Sequence, residues 1–365
     1  MSALPEPVLV VGTGLIGTSL ALSLRRRDVV VWLADRDPQA VAVAVARGAG
    51  EPLPPEVEGA STGVGPALVV VAVPPALTAA VVADSLRRYP GAVVTDVASV
   101  KVPIHRALVA AGVDVTRYVG GHPMAGREVS GPTAARADLI DDRPWVITAH
   151  PGADGAALDA VQELVLAARA LPIVMAAAEH DRAVAVISHT PQVLSSLLAA
   201  RLLDSSDTVV SIAGQGLRDM TRIAASDADL WVEILAANAT PIAAVLSALR
   251  ADLDSLLHAL GSIDQGGEDV LAETLRRGNA GRDRVPGKHG ARQSPTAVVP
   301  VAVPDQPGEL GRLFAAVAEA GFSVEDVRIE HVLGRPTGVV EITVGDVSAA
   351  PLAQALGAQG WDVRA

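Results

Sequence analysis

Three glycines carry the first chemistry in this chain. Gly12, Gly14 and Gly17 stand in VLVVGTGLIGTSLALSL, after a Val-rich run and before a stretch with helical spacing. The first glycine permits a tight turn, the second lets backbone approach a pyrophosphate, and the third lets helix pack close to strand. The turn and helix start, through Thr13, Leu15 and Ile16, offer N–H groups and a positive dipole end to phosphates. A second strand-like run, VVVWLAD, ends at Asp35. A spacing of about 20 residues is where a ribose-binding carboxylate belongs. Asp35 can accept from both ribose hydroxyls and repels a 2′-phosphate, which favours NAD. Arg36 can pair with such a phosphate, which keeps NADP as the alternative. The turn AVPP, with Val73 and Pro74, ends a later strand-like run. It is expected to line the same cleft, because ligands in such sheets bind at the carboxyl ends of strands.

A second group lies in GGHPMAGRE, residues 120–128. A histidine between Gly-Gly and Pro suits neither a helix nor a strand interior. His122 is therefore expected on a rigid loop, near the nicotinamide. Its imidazole takes a proton near neutral pH, as hydride abstraction from an alcohol carbon requires.

These groups need a frame. Short Val-rich runs at Val8–Val11, Val29–Leu33, Leu68–Val73, Ala92–Val94 and Trp145–Thr148 alternate with Ala/Leu/Arg segments long enough for helices. That alternation predicts an α/β Rossmann-like parallel sheet over residues 1–172. Residues 173–275 carry helical spacing and predict an all-α domain whose Ala-rich faces need a partner, a second subunit being the candidate. The polar, basic, Gly-rich stretch within 276–295 reads as a linker. Residues 296–365 return to strand and helix patterns, predicting a small α+β domain. The 365 residues fit two or three domains.

Composition excludes several classes. The formal net charge of -12 argues against a nucleic-acid partner. With no cysteine there is no disulfide, thiolate nucleophile or thiolate metal site, and no metal is expected. The start MSALPEP lacks a signal-peptide pattern, and the apolar runs are broken by Gly, Pro or charge. A soluble cytoplasmic protein without a membrane span is the expectation.

Five segments together resemble the prephenate/arogenate dehydrogenase family of tyrosine biosynthesis. They are GTGLIGTS at 12–19, DVASVK at 96–101, GGHPMAGRE at 120–128, EHDRAVAVISHTPQ at 179–192 and RDMTRIAASDADLW at 218–231. The resemblance implies an NAD-dependent oxidative decarboxylation of prephenate to 4-hydroxyphenylpyruvate, with arogenate dehydrogenase as the alternative. It also implies roles. His122 matches the catalytic histidine, and Ser99 the serine that positions it and the substrate hydroxyl. Arg222 matches the arginine that holds a substrate carboxylate, for which a planar fork is suited. Glu128 matches an acidic residue near the pocket. His189 and Asp181 match positions on a helix facing the cleft, and Asp219 and Trp231 positions near the arginine. Two departures stand out. Gln192 replaces a frequent second histidine, and Arg127 replaces a frequent threonine. Both bear on how the substrate side chain is held.

The tail, with VPVAVPDQPGEL, resembles an ACT domain, a βαββαβ module. The resemblance implies a tyrosine effector site at Asp305, Pro307, Gly308 and Leu310, or else a dimerisation module without ligand. Related dehydrogenases of the β-hydroxyacid or imine-reductase type rely on a lysine in the helical domain, and 176–260 contains none. A non-catalytic NAD sensor is disfavoured by the intact Ser99, His122 and Arg222 set.

Overall fold

The computed structural model describes residues 4–58, 65–126, 129–285, 295–331 and 336–364. It divides into two compact units, residues 1–249 and 250–365. The boundary falls inside the helix Ala239–Leu260.

The first unit is built on eight strands: β1 Val8–Val11, β2 Val31–Ala34, β3 Glu51–Pro52, β4 Leu68–Val71, β5 Val93–Asp96, β6 Tyr118–Pro123, β7 Pro144–Thr148 and β8 Leu171–Val174. Their order is β3-β2-β1-β4-β5-β6-β7-β8. All neighbours pair in parallel except β6 and β7, which are antiparallel. The order reverses between β1 and β4, which creates the crevice where such sheets bind ligands.

The valine runs follow from double burial. On β1, Val8 and Val10 pack with Leu20, Leu24 and Leu164 on one face. Leu9 packs with Val82, Leu86 and Leu108 on the other. Both faces are covered by helices, so adjacent residues are equally apolar and no alternation appears. Each fully buried Val or Leu contributes roughly 1.5–3 kcal/mol. Outermost β8 exposes its side chains, and Pro172 occupies an edge position where a missing N–H is tolerated.

Helices fill the rest of the unit. The run Ala177–Asp204 is continuous, with a π-helical segment at Ala185–His189. Pro191 lies just beyond it and has no N–H to offer Ile187, four residues back, which the widened turn accommodates. This run is long and apolar enough to cross a membrane by length and composition, with 33% of its most apolar stretch buried. A single helix of this kind is also what an apolar packing face produces.

The second unit contains a four-stranded antiparallel sheet. Its strands are β9 Thr296–Pro304, β10 Asp326–His331, β11 Thr337–Gly345 and β12 Asp362–Val363, in the order β10-β11-β9-β12. With the helices Glu309–Glu319 and Asp346–Ala358 the chain order is βαββαβ. Val301, Ile342 and Val344 pack against Leu313, Leu352 and Leu356. The stretch expected as a linker is partly helical instead: Gly267–Arg282 is one helix. Ion pairs of Arg276 with Glu273 and of Arg277 with Asp252 (3.3 Å) hold it. Residues 286–294 lie outside the described residues.

Candidate active site

The glycine turn sits where β1 meets the helix Leu15–Arg25. Gly12 has φ +102°, and a Cβ there would lie 2.3 Å from the Ala72 carbonyl oxygen. A Cβ on Gly17 would lie 2.0 Å from the Gly12 carbonyl oxygen. Both positions exclude a side chain. Around Gly14, by contrast, a Cβ meets nothing within 4 Å, so the turn is open on the side a pyrophosphate approaches. Val73 borders Gly12, and the carbonyls of Val73 and Pro74 accept from Thr78 Oγ1, which shapes the AVPP turn against the glycines. Asp35 follows β2 directly. Its Oδ2 accepts from Thr13 N (2.6 Å) and Thr13 Oγ1 (3.1 Å), and its Oδ1 from Asp37 N (3.0 Å). The carboxylate is thus held at the turn, while Arg36 is exposed. These residues fit a dinucleotide: an open turn, free helix N–H groups and an anchored acid in one crevice.

His122 is not on a loop. It lies in β6, paired with Val146 of β7. The glycines before it serve close packing rather than a turn. A Cβ on Gly121 would lie 2.6 Å from the Asp96 carbonyl oxygen, and one on Gly120 2.6 Å from Thr148 Oγ1. Behind this strand, buried Lys101 donates from Nζ to the Asp96 carboxylate and to the Gly121 carbonyl. Tyr118 donates its hydroxyl to Asp96 Oδ2 (2.7 Å). The histidine is therefore carried on a strand locked from behind.

The partner of His122 is His180, which the sequence reading did not single out. His122 Nδ1 lies 2.8 Å from His180 Nε2, and His180 Nδ1 lies 2.8 Å from Asp181 Oδ1. Asp181 also accepts from Lys101 N and Val102 N, each at 2.8 Å. Burial pushes the Asp181 carboxyl up, but His180 and those two amides outweigh it and hold it below the usual range. An ionised carboxylate only accepts, so His180 Nδ1 donates to it. A neutral imidazole that donates from one nitrogen accepts at the other. His122 Nδ1–H then donates to His180, and the His122 lone pair is on Nε2. Burial first, then His180, Lys101 and His189, hold His122 well below the ordinary histidine pKa. The chain delivers a neutral base with a fixed tautomer.

The other sequence candidates fall around it. Ser99 Oγ is buried without a hydrogen-bond partner among the described residues, so in this state it does not position His122. His189 ends the π-helical turn, is 1% exposed, and meets Trp231 edge-on with ring centroids 6.1 Å apart. Gln192, expected to touch substrate, donates from Nε2 to the Ile223 carbonyl (3.0 Å). Ser226 Oγ donates to that carbonyl too (2.7 Å). These bonds fix the 3₁₀ turn Arg222–Ala225, which presents Arg222 at the surface. Asp219 accepts from Gln215 Nε2 (2.9 Å) on the preceding turn. Arg127 and Glu128 lie outside the described residues. No cluster with metal-holding composition occurs among the described residues.

Comparison with known proteins matches this geometry to one family in two segments. Residues 20–174 match the model "Prephenate dehydrogenase, nucleotide-binding domain", and residues 176–277 match "Prephenate dehydrogenase, dimerization domain". A probable prephenate dehydrogenase, NovF of Streptomyces niveus, is 39% identical over 362 residues, covering 97% of this chain and 98% of the relative. The crystal structure of a prephenate dehydrogenase from A. aeolicus in complex with hydroxyphenyl propionate and NAD+ superposes with a TM-score of 0.66 at 27% identity, covering 75% of this chain and 96% of that one. A Synechocystis arogenate dehydrogenase does so with a TM-score of 0.64 at 27% identity, covering 76% and 99%.

Proposed function

Because the chain belongs to the prephenate dehydrogenase family, we propose that it oxidises and decarboxylates prephenate with NAD, giving 4-hydroxyphenylpyruvate. The observation that carries this reading is the His122–His180–Asp181 chain, anchored near the end of β6 in the sheet that also carries the glycine turn. Gly12, Thr13, Gly14, Leu15, Ile16, Gly17, Asp35, Val73 and Pro74 hold the cofactor, which when bound supplies the hydride acceptor. His122 Nε2 takes the proton of the ring hydroxyl, so that the carbon bearing it can release hydride. The ring carboxylate then leaves as carbon dioxide, and the ring becomes aromatic. The proton held on His122 returns to the ring oxygen, leaving a phenol. Ser99, with its unpartnered hydroxyl, meets the same substrate oxygen. Arg222 pairs with a substrate carboxylate; Arg127 and Glu128, outside the described residues, are assigned to substrate by the family resemblance alone.

Arogenate is the competing substrate, because an arogenate dehydrogenase shares this fold at 27% identity over 76% of the chain. Initial rates with prephenate or arogenate, and NAD or NADP, decide. Turnover of prephenate with NAD is expected to dominate. Turnover of arogenate alone moves the assignment to the alternative, and an NADP preference assigns Arg36 the 2′-phosphate.

The exposed apolar side chains Val186, Ile187, Leu197 and Leu203 form the face covered by a second subunit, consistent with the dimerization-domain match. The βαββαβ unit serves as an ACT domain. Gly308, at φ +93°, opens the helix Glu309–Glu319 and leaves Asp305, Pro307 and Leu310 around a turn suited to the carboxylate of tyrosine. A Gly308→Val substitution is expected to raise the tyrosine concentration for half-inhibition at least about tenfold, by straining that turn. Unchanged tyrosine sensitivity would move inhibition to the active site.

A further inference from the structure

We propose that Asn238 is a positioning residue that fixes His189 as a permanent N–H donor to an oxygen of the anionic substrate. This rests on the active-site reading above and adds a residue to it. The helices Ala228–Ala237 and Ala239–Leu260 meet at 93°, and Asn238 occupies the bend. Its side chain is 2% exposed. Nδ2 donates to the Asp181 carbonyl (2.8 Å) and contacts His189 Nδ1 (3.0 Å). An amide nitrogen has two hydrogens and no lone pair, so it donates to both. His189 Nδ1 is therefore the acceptor, and its proton resides on Nε2. That Nε2 is buried and has no partner among the described residues. A buried donor left unmade is costly, and a ligand oxygen recovers that cost.

The surroundings keep this donor from titrating. Asp181 and His180 face the ring from the helix Ala177–Val184, His122 from β6, and Trp231 from the helix Ala228–Ala237. Burial, opposed by Asp181 and assisted by His180, lowers the His189 pKa to about 4. The site thus combines a neutral acceptor at His122 with a neutral donor at His189. A hydroxyl proton meets the first, and a carboxylate or carbonyl oxygen the second.

Replacing Asn238 by aspartate keeps the shape and reverses the polarity. A carboxylate accepts from His189 Nδ1–H, so the neutral ring turns its Nε2 lone pair toward substrate. It also raises the His189 pKa toward neutrality, and the cationic ring again donates from Nε2. In the Asn238→Asp variant, KM for substrate is expected to rise about tenfold or more at pH 8 and to fall back toward the wild-type value as pH drops to 6. The wild type shows no such recovery. An unchanged KM, or a KM raised equally at every pH, overturns the proposal. Should this variant not fold, ¹⁵N imidazole spectra of the wild type decide: His189 is expected as the Nε2–H tautomer from pH 8 to pH 5. A Nδ1–H tautomer there overturns it. Those spectra need no substrate, so they separate this inference from a wrong substrate assignment, which the wild-type rates alone report.

Discussion

Replacing His122 by asparagine is expected to lower kcat by about 10²–10⁴-fold, the range for loss of a positioned general base. The substitution leaves the backbone pairing opposite Val146 in place, so the sheet is expected to keep its register. Asparagine cannot take a proton. NAD affinity is expected to stay at the wild-type value, because the glycine turn and Asp35 follow β1 and β2, away from β6. Fluorescence titration of NAD beside single-turnover rates checks both halves. Full turnover in this variant would remove His122 from the mechanism. In the wild type the sign of the pH effect also follows. With the His122 pKa held well below 6.5, the base is present throughout the neutral range. The loss of kcat/KM assigned to it appears only as pH falls through that lowered pKa, below the midpoint of an ordinary histidine.

The Asp181→Asn substitution is expected to lower kcat about as far as loss of His122, within about 10²–10⁴-fold, and to destabilise the fold by about 1.5–3 kcal/mol. The kinetic part comes from proton order. An asparagine nitrogen turned toward His180 donates to Nδ1. His180 then donates from Nε2 to His122 Nδ1, and the His122 proton moves to Nε2, where the lone pair was needed. The stability part comes from the amides of Lys101 and Val102, which lose an anionic acceptor. The His122→Asn/Asp181→Asn double variant is expected to be no slower than His122→Asn alone, because both act through one base. Multiplying effects would show that Asp181 acts elsewhere. Thermal melts should separate the two single variants, with Asp181→Asn unfolding at the lower temperature.

Much of the frame was legible in the sequence. Continuous Val runs report burial on both faces through local rules, and the sheet bears that out. His122 was legible as a reactive group but not as a strand residue. Glycine usually announces a turn, yet Gly120 and Gly121 are small because Thr148 and the Asp96 carbonyl approach them. A glycine pair ahead of a strand-like stretch carries that second meaning. The antiparallel β7 was equally hidden, since its apolar run reads the same in either direction. His180 escaped because it adjoins Asp181, and neighbouring residues on a helix do not normally face one another. Asn238 escaped because its importance depends on a 93° bend between two helices of similar composition. Gln192 was read as a pocket residue from the histidine it replaces, whereas its amide is occupied by the Ile223 carbonyl. Such contacts join segments tens of residues apart, and no local pattern records them.

The Asp181 carboxylate has one more consequence. The helix Val102–Ala110 has no side-chain cap of its own, and its first amides are closed by an acid of the helix Ala177–Val184. The positive end of that helix in turn favours the negative charge. Knitting a helix end and ordering the protons of two imidazoles are thus a single event. Until Ala177–Val184 settles against the sheet, the helix is frayed at its start and His122 has no preferred tautomer. Catalytic competence then requires that docking, and turnover during refolding is expected to appear no earlier than closure of that helix end.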